Sequence, residues 1–124
     1  MTALSSPGQL AANLPGILGF YPHDSVIFAA FDATGAGHRF RLGPVIRLDI
    51  DDLRHLPDVA RALEQSGEDL VFAFVVTRRG EEEVEDVLDT LFALVRTSVI
   101  PIHACWVTRE ILTGEPVQLA FGPA

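Results

Sequence analysis

The sequence predicts an α/β fold in which one mixed sheet of five strands carries helices on both faces. Two runs, 25–32 and 70–76, are apolar at both odd and even positions, which is typical of strands that are covered on both sides. Segments with helical periodicity precede, separate and follow these runs. Two strand–helix–strand units imply parallel crossovers, and the flanking hairpins imply antiparallel pairs. We expect the strand order 2-1-3-4-5, with the second and third helices on one face and the N-terminal helix on the other.

Length and composition predict a single domain over residues 1–124, with nine basic and 17 acidic side chains, a net charge of −8 and 48% hydrophobic residues. A chain of this size buries roughly two thirds of its unfolded surface, so a core forms without disulfides or metals. No stretch approaches the roughly 20 apolar residues of a membrane helix, and the first ten residues carry no secretory signal pattern. The single cysteine, Cys105, cannot form an internal disulfide, which agrees with a reducing compartment. We therefore expect a cytoplasmic protein without a membrane partner.

The N-terminal helix begins at Ser6, which can cap it, and at Pro7, whose missing N–H is tolerated in the first turn. Pro15 cannot donate a hydrogen bond to the carbonyl of Ala11, so we expect a kink or two short helical pieces. The apolar residues of this helix share one stripe: Leu10, Leu14, Ile17 and Leu18.

The first strand, 25–32, is placed centrally, and a flexible turn over 33–37 leads into the second. The second strand alternates apolar and polar residues, so one of its faces is expected to be solvated. The dipeptide Gly43-Pro44 removes a hydrogen-bond donor in mid-strand, which predicts an edge position or a bulge.

The second helix is expected to be capped by Asp51 or Asp52 and to end near Gly67. Its apolar stripe consists of Leu56, Val59 and Leu63. The third helix opens at Gly80, and its first turn is acidic, as the helix dipole favours.

The third helix has one broad apolar side, formed by Val84, Val87, Leu88, Leu91, Phe92, Leu94 and Val95. A strand over about 100–108, a turn signal at 113–116 and a short strand over 117–121 complete the chain.

His103 and Cys105 lie two residues apart on a predicted strand, so both side chains point to the same face. Two ligands are too few for zinc, which takes four protein ligands in structural sites and three in catalytic ones. A packed thiol beside a hydrogen-bonded imidazole is the expected arrangement. We predict no metal, no cofactor and no catalytic residue.

We place a candidate ligand site where the turn after the first helix meets the end of the second strand. His23 and Asp24 could form an acid–base pair, although Asp24 could equally bond to turn amides while His23 stays solvated. Arg47 and Asp49 lie on the solvated face of the second strand. Turns and strand ends on a rigid sheet are where functional residues concentrate.

Three arginines of the second strand, Arg39, Arg41 and Arg47, are predicted to share one face. Their planar guanidinium groups could grip a phosphate or a nucleic-acid backbone. The structural alternative is an edge strand whose charges prevent unwanted pairing. A net charge of −8 repels nucleic acid at long range, so nucleic-acid binding is the weakest of the functional hypotheses.

Two motifs, Pro15 to Val26 (PGILGFYPHDSV) and Gly43 to Asp49 (GPVIRLD), resemble the actinobacterial family catalogued as domain of unknown function 4192. The resemblance is clear over residues 5–50 and looser in the strand and helix that follow. It implies an actinobacterial source and correspondence to the N-terminal domain of a longer family architecture. No reaction is assigned to that family, so the resemblance carries over no catalytic residue.

These observations predict a non-catalytic interaction domain that binds a second copy of itself or the remainder of a longer chain. Open sheet edges, high apolar content and the missing catalytic constellation favour it. The alternative is a small-ligand or enzymatic domain that uses His23, Asp24 and an arginine, and nucleic-acid binding is third.

Overall fold

The structure is a computed structural model that describes residues 7–33, 40–67, 70–97, 102–111 and 117–122. It contains three α-helices, a 3-10 helix and a five-stranded sheet. The elements are α1 (Pro7–Leu18), β1 (Ser25–Ala33), β2 (Phe40–Asp49), the 3-10 helix (Ile50–His55), α2 (Leu56–Ser66), β3 (Leu70–Val76), α3 (Glu81–Arg96), β4 (Ala104–Thr108) and β5 (Gln118–Phe121).

The sheet order β2-β1-β3-β4-β5 confirms the predicted mixed sheet. β3 and β4 are parallel, and the other neighbouring pairs are antiparallel. β2 and β3 also run in the same direction, because each is antiparallel to the β1 strand between them. Both strand–helix–strand units therefore join parallel strands, as the periodicity predicts.

Two apolar clusters lie on the sheet because β1 and β3 are buried on both faces. One cluster combines Phe28 and Val75 of the sheet with Leu56, Val59 and Leu63 of α2 and Val87 and Leu91 of α3. The other combines Ile27 and Phe74 with Leu14 and Leu18 of α1. Alternate residues of one strand thus belong to different clusters, as the two-residue period of a strand requires.

α1 is a single helix with Pro15 inside it, so the predicted division into two pieces is wrong. The Pro15 carbonyl accepts a hydrogen bond from the Gly19 amide at 2.8 Å, so the backbone hydrogen bonds of the helix continue beyond the proline to the helix end. Gly19 then adopts a φ of 84°, a left-handed conformation that ends the helix.

β2 carries the predicted irregularity and also lies at the sheet edge. Ala29 pairs with Val45 and Phe31 with Leu42, so the register shifts where Gly43 and Pro44 stand. The shift changes the faces of the strand: Leu42 and Val45 pack in the α1 cluster, although an undisturbed strand would place them on opposite faces. The two-residue alternation of β2 is therefore interrupted at the predicted bulge.

The cap before α2 also differs from the prediction. Asp49, not Asp51 or Asp52, accepts a hydrogen bond from the Asp51 amide at 2.9 Å and caps the 3-10 helix. α2 begins only at Leu56, with Pro57 in its first turn, because the 3-10 helix is inserted between strand and helix. Gly67, with a φ of 67°, ends α2 as predicted.

Candidate functional site

Polar side chains gather at the end of the sheet where β3 and β4 finish and β1 begins. We call this group the polar end; it comprises Asp24, Ser25, Arg47, Asp49, Asp51, Thr77 and Arg79. The carboxyl ends of neighbouring parallel strands are where open α/β sheets bind ligands.

Asp24 is held at the entrance to β1 by three contacts. Its carbonyl accepts a hydrogen bond from the Ile50 amide at 2.9 Å, and its carboxylate accepts one from the Thr77 hydroxyl at 2.7 Å. The Arg79 guanidinium lies 3.5 Å from the same carboxylate oxygen. Asp24 has a φ of 45°, a left-handed conformation that aspartate tolerates better than most residues. These contacts support the unusual backbone, so Asp24 has a structural role in the turn.

Arg79 is the cation at the centre of the polar end. Its two terminal nitrogens each donate to one Asp51 oxygen at 2.9 Å, and Glu83 lies 3.5 Å away. The backbone amide of Arg79 donates to the Thr77 hydroxyl oxygen. Hydrogen bonds from Arg79, and then its charge, hold the pKa of Asp51 below its usual value. The same hydrogen bonds raise the pKa of Arg79.

Arg47 forms a second, smaller set of contacts. Its Nε donates to the Ser25 hydroxyl at 2.8 Å, and a terminal nitrogen lies 3.5 Å from the Asp49 carboxylate. Ser25 is completely buried and donates in turn to the His23 carbonyl at 2.7 Å. The guanidinium also lies over the Phe20 ring, 5.7 Å from its centroid. Arg47 thus connects β2 to the turn after α1.

A cavity of about 280 Å³ opens beside the polar end. Its lining residues are Tyr21 and His23 from the turn after α1 and Glu110 and Ile111 after β4. The Glu110 carboxylate is paired with the Arg78 guanidinium, so the cavity wall is close to neutral when His23 is unprotonated. An imidazole, a phenol and an apolar floor remain available to a small molecule.

The four residues predicted as a ligand site are near one another but do not converge on one point. Asp24 bonds to Thr77, Arg47 bonds to Ser25, and the His23 side chain lines the cavity. Asp49 caps the 3-10 helix. Both guanidinium groups of the polar end are neutralised by acids of the same chain, so the arrangement chiefly joins the loops at this end of the sheet.

Sequence reasoning missed Thr77, Arg79 and Asp51, which organise the polar end. The signal was present, because Thr77 and Arg79 come directly after a fully apolar strand. That position places them at a strand's carboxyl end, where polar side chains collect. Nothing local to the sequence pairs Arg79 with Asp51, which lies 28 residues earlier.

The backbone register of β2 separates positions 41 and 47, so the predicted shared face of the β2 arginines is wrong for these two positions. Arg41 pairs in register with Asp32, and Arg47 pairs with Ile27. Since Asp32 and Ile27 are an odd number of residues apart on β1, the two positions belong to opposite faces of the sheet. The shift at Gly43-Pro44 causes this separation, and Arg39 lies outside the described residues.

His103 and Cys105 have separate surroundings. The His103 Nδ1 accepts a hydrogen bond from the Val71 amide at 3.1 Å, whereas Cys105 is buried in the cluster beneath α2 and α3. Burial raises the pKa of the Cys105 thiol to about 12. Within the described ranges, no group of three or more His, Cys, Asp or Glu side chains is placed to hold a metal ion.

The β5 edge of the sheet, on the side away from β2, carries an apolar surface. The Phe92 and Phe121 rings meet edge to face with centroids 5.4 Å apart, and the Arg96 guanidinium lies over Phe92. Phe92 is 46% exposed and Leu119 is 41% exposed. We call Asp89, Phe92, Arg96, Leu119 and Phe121 the β5–α3 surface. In the part of the chain that the structure describes, no strand pairs with the outer edge of β5.

Fold and site together define a small α/β domain whose polar residues are mostly paired internally and whose β5 edge is open. The chain belongs to the family described as Domain of unknown function (DUF4192), whose model matches residues 7–123. No curated protein and no solved structure gives a significant match. Among the described residues, no helix has both the length and the apolar content needed to span a membrane.

Proposed function

We propose that this protein is a non-catalytic interaction domain whose β5–α3 surface binds another polypeptide, either a second copy of the chain or the remainder of a longer protein. The observation that carries the proposal is the exposure of Phe92 and Leu119 beside an uncharged edge strand, Gln118–Phe121. Leu119 pairs with Trp106 and Phe121 pairs with Cys105, so apolar side chains border the edge on both faces of the sheet.

The two edges of the sheet differ, and the difference supports this surface as the binding side. β2 has a proline and arginines, which are usual devices against edge pairing, whereas a register shift occurs at both edges. β5 has neither proline nor charge. Phe92 contacts Phe121 on the α3 side of the sheet and Leu119 is exposed on the other side, so apolar groups are available on both sides of this edge.

Photo-crosslinking in living cells tests the proposal without a known partner. Benzoyl-phenylalanine in place of Phe92 is expected to form discrete covalent adducts with a polypeptide. The matched control is the same substitution at Phe20, which is 48% exposed but lies over Arg47. Adducts at position 92 that are no more abundant than those at position 20 would overturn the proposal.

A second candidate function, binding of a small ligand, is favoured by the cavity beside His23. Its volume of about 280 Å³ is close to the lower end of the ligand-pocket range, roughly 300 Å³. Titration with small phenols, imidazoles and carboxylic acids should shift the NMR signals of the His23 ring and the Ile111 methyl groups. The His23→Ala variant should lose the Ile111 shifts, and a complete lack of shifts at millimolar concentration would remove this candidate.

We also propose a cytoplasmic location and an actinobacterial source. The lone cysteine is buried and unpaired, which suits a reducing compartment. All nine basic residues are arginine, a usage expected of GC-rich coding DNA. Fractionation of the source cells tests the location, since recovery outside the cytoplasm would contradict it.

A further inference from the structure

We infer that the occupant of the β5–α3 surface is a second copy of this chain, with the two α3 helices antiparallel across a two-fold axis near Phe92. The inference rests on the proposed function, because it names the partner of the surface described there.

One stripe of α3 faces the β5 edge. Asp89, Phe92 and Arg96 are spaced by three and four residues, so they stand above one another on one side of the helix. Phe92 contacts Phe121 of β5, so this side of the helix is directed toward the β5 edge. Asp89 and Arg96 are both exposed, so they are available to a partner.

The charges of this stripe match those of a second copy of the stripe that runs in the opposite direction. Asp89 lies three residues before Phe92 and Arg96 lies four residues after it. Two antiparallel helices that cross near Phe92 therefore bring Asp89 opposite the partner's Arg96, and Arg96 opposite the partner's Asp89. The aromatic pairs Phe92 and Phe121 of the two copies meet at the centre, as in an isologous interface.

The local charge pattern of α3, and not the net charge of the molecule, favours a second copy. α3 carries six acids and one basic residue, and that basic residue, Arg96, lies at its C-terminal end. Two molecules of net charge −8 repel each other unless opposite charges meet at the contact. An antiparallel arrangement places the single arginine of each helix opposite the partner's Asp89, which offsets the repulsion locally.

Charge exchange between the two positions tests this arrangement by sedimentation velocity. Asp89→Arg places two arginines face to face at each ion pair, and Arg96→Asp places two aspartates face to face. Each single variant should associate about tenfold more weakly than the wild type, because two attractive contacts become repulsive. The double variant Asp89→Arg/Arg96→Asp should recover wild-type association.

Mixing the two single variants gives a result that only a two-fold contact produces. In a mixed pair, the introduced arginine of one chain faces the introduced aspartate of the other, and Arg96 of the first chain faces Asp89 of the second. An equimolar mixture should therefore associate about as strongly as the wild type. The matched control is Glu64→Arg, an equal charge change at an exposed position of α2, which should not weaken association.

Three outcomes would overturn the inference: a wild type that remains monomeric at high concentration, single variants that behave like Glu64→Arg, or a mixture that does not recover. Circular dichroism of each variant separates loss of binding from loss of folding. Crosslinks from position 92 to a different polypeptide, together with a monomeric wild type, would overturn this inference and leave the proposed function standing. A lack of crosslinks would remove both.

Discussion

The guanidinium of Arg79 holds both carboxylate oxygens of Asp51 at 2.9 Å. Arg79 follows β3, whereas Asp51 lies in the 3-10 helix after β2, so the pair joins two loops that are distant in sequence. Asp24, at the start of β1, lies 3.5 Å from the same guanidinium. One cation therefore connects three segments at the polar end, and its bidentate geometry makes it unsuited to replacement by lysine.

This pair predicts a dependence of folding stability on acid pH. Hydrogen bonds from Arg79, and then its charge, lower the pKa of Asp51 below the ordinary value of 3.8, so the folded state binds fewer protons than the unfolded state. The contribution of Asp51 to the free energy of unfolding is therefore fully present above about pH 5 and is lost as the pH falls through the folded pKa.

A double-mutant cycle with Asp51→Asn and Arg79→Leu measures that contribution. The coupling free energy from urea unfolding should stabilise the folded state at about pH 6 and shrink strongly by about pH 2. The cycle removes any effect that each substitution has by itself. A coupling of equal size at both pH values would contradict the assigned role of Asp51.

Gly122 is predicted to be intolerant of a side chain. Its φ is 117°, and a Cβ added there would lie 2.6 Å from the His103 carbonyl oxygen and 2.7 Å from the Ala104 Cα. Gly122→Ala should lower the free energy of unfolding by about 1–3 kcal/mol from the backbone conformation alone, and the clash adds to this loss. Urea denaturation measures the change.

The matched control for Gly122 is Gly16→Ala, in α1. A Cβ at Gly16 would meet nothing within 4 Å, and the residue lies inside a helix. This substitution should stabilise the protein by about 0.5–1 kcal/mol, because glycine loses more backbone entropy on folding. Equal effects at the two glycines would argue against the close approach of Gly122 to the start of β4.

Cys105 is predicted to be chemically inert in the folded protein. Its side chain is fully buried, and burial raises the pKa of its thiol to about 12, so almost no thiolate exists at neutral pH. Iodoacetamide should label the native chain only as fast as it unfolds. The same chain in denaturant is the control, since it contains no other thiol. Rapid labelling of the native chain would disprove the packed-thiol interpretation.

Leu14 is predicted to attach α1 to the sheet. It is completely buried in the cluster that contains Ile27 and Phe74. Leu14→Ala should lower the free energy of unfolding by about 2–5 kcal/mol through lost burial and the resulting cavity. Ile17→Ala, at a position that is 41% exposed on the same helix, should cost less than about 1 kcal/mol. Similar losses at both positions would show that α1 packs through a different side.

Much of the fold could be predicted because its signals are local. The apolar runs at Val26–Phe31 and Leu70–Val76 contain residues for both faces, and such a pattern has few structural solutions other than a central strand. The broad apolar side of α3 and the left-handed cap at Gly67 are equally local. Short connections and right-handed crossovers then restrict the strand order.

The polar end could be located from the sequence but not assembled from it. His23 and Asp24 follow a turn and Arg47 ends a strand, so their position near a sheet end was visible. Their partners were not, because the contacts of Asp24 with Thr77 and of Arg79 with Asp51 join residues 53 and 28 positions apart. Such pairs depend on which strands become neighbours.

The amino-acid sequence by itself determined the strands and the helices, because each arises from periodic burial and backbone preference within a few residues, and the rules for connections between them then restricted the sheet order. Only the tertiary structure decided how side chains face one another. The register shift at Gly43-Pro44 places positions 41 and 47 on opposite faces of the sheet. The Arg79 guanidinium donates its hydrogen bonds to Asp51 and is therefore not available to a ligand. Register and charge pairing are long-range properties, since they exist only once distant segments have been brought side by side.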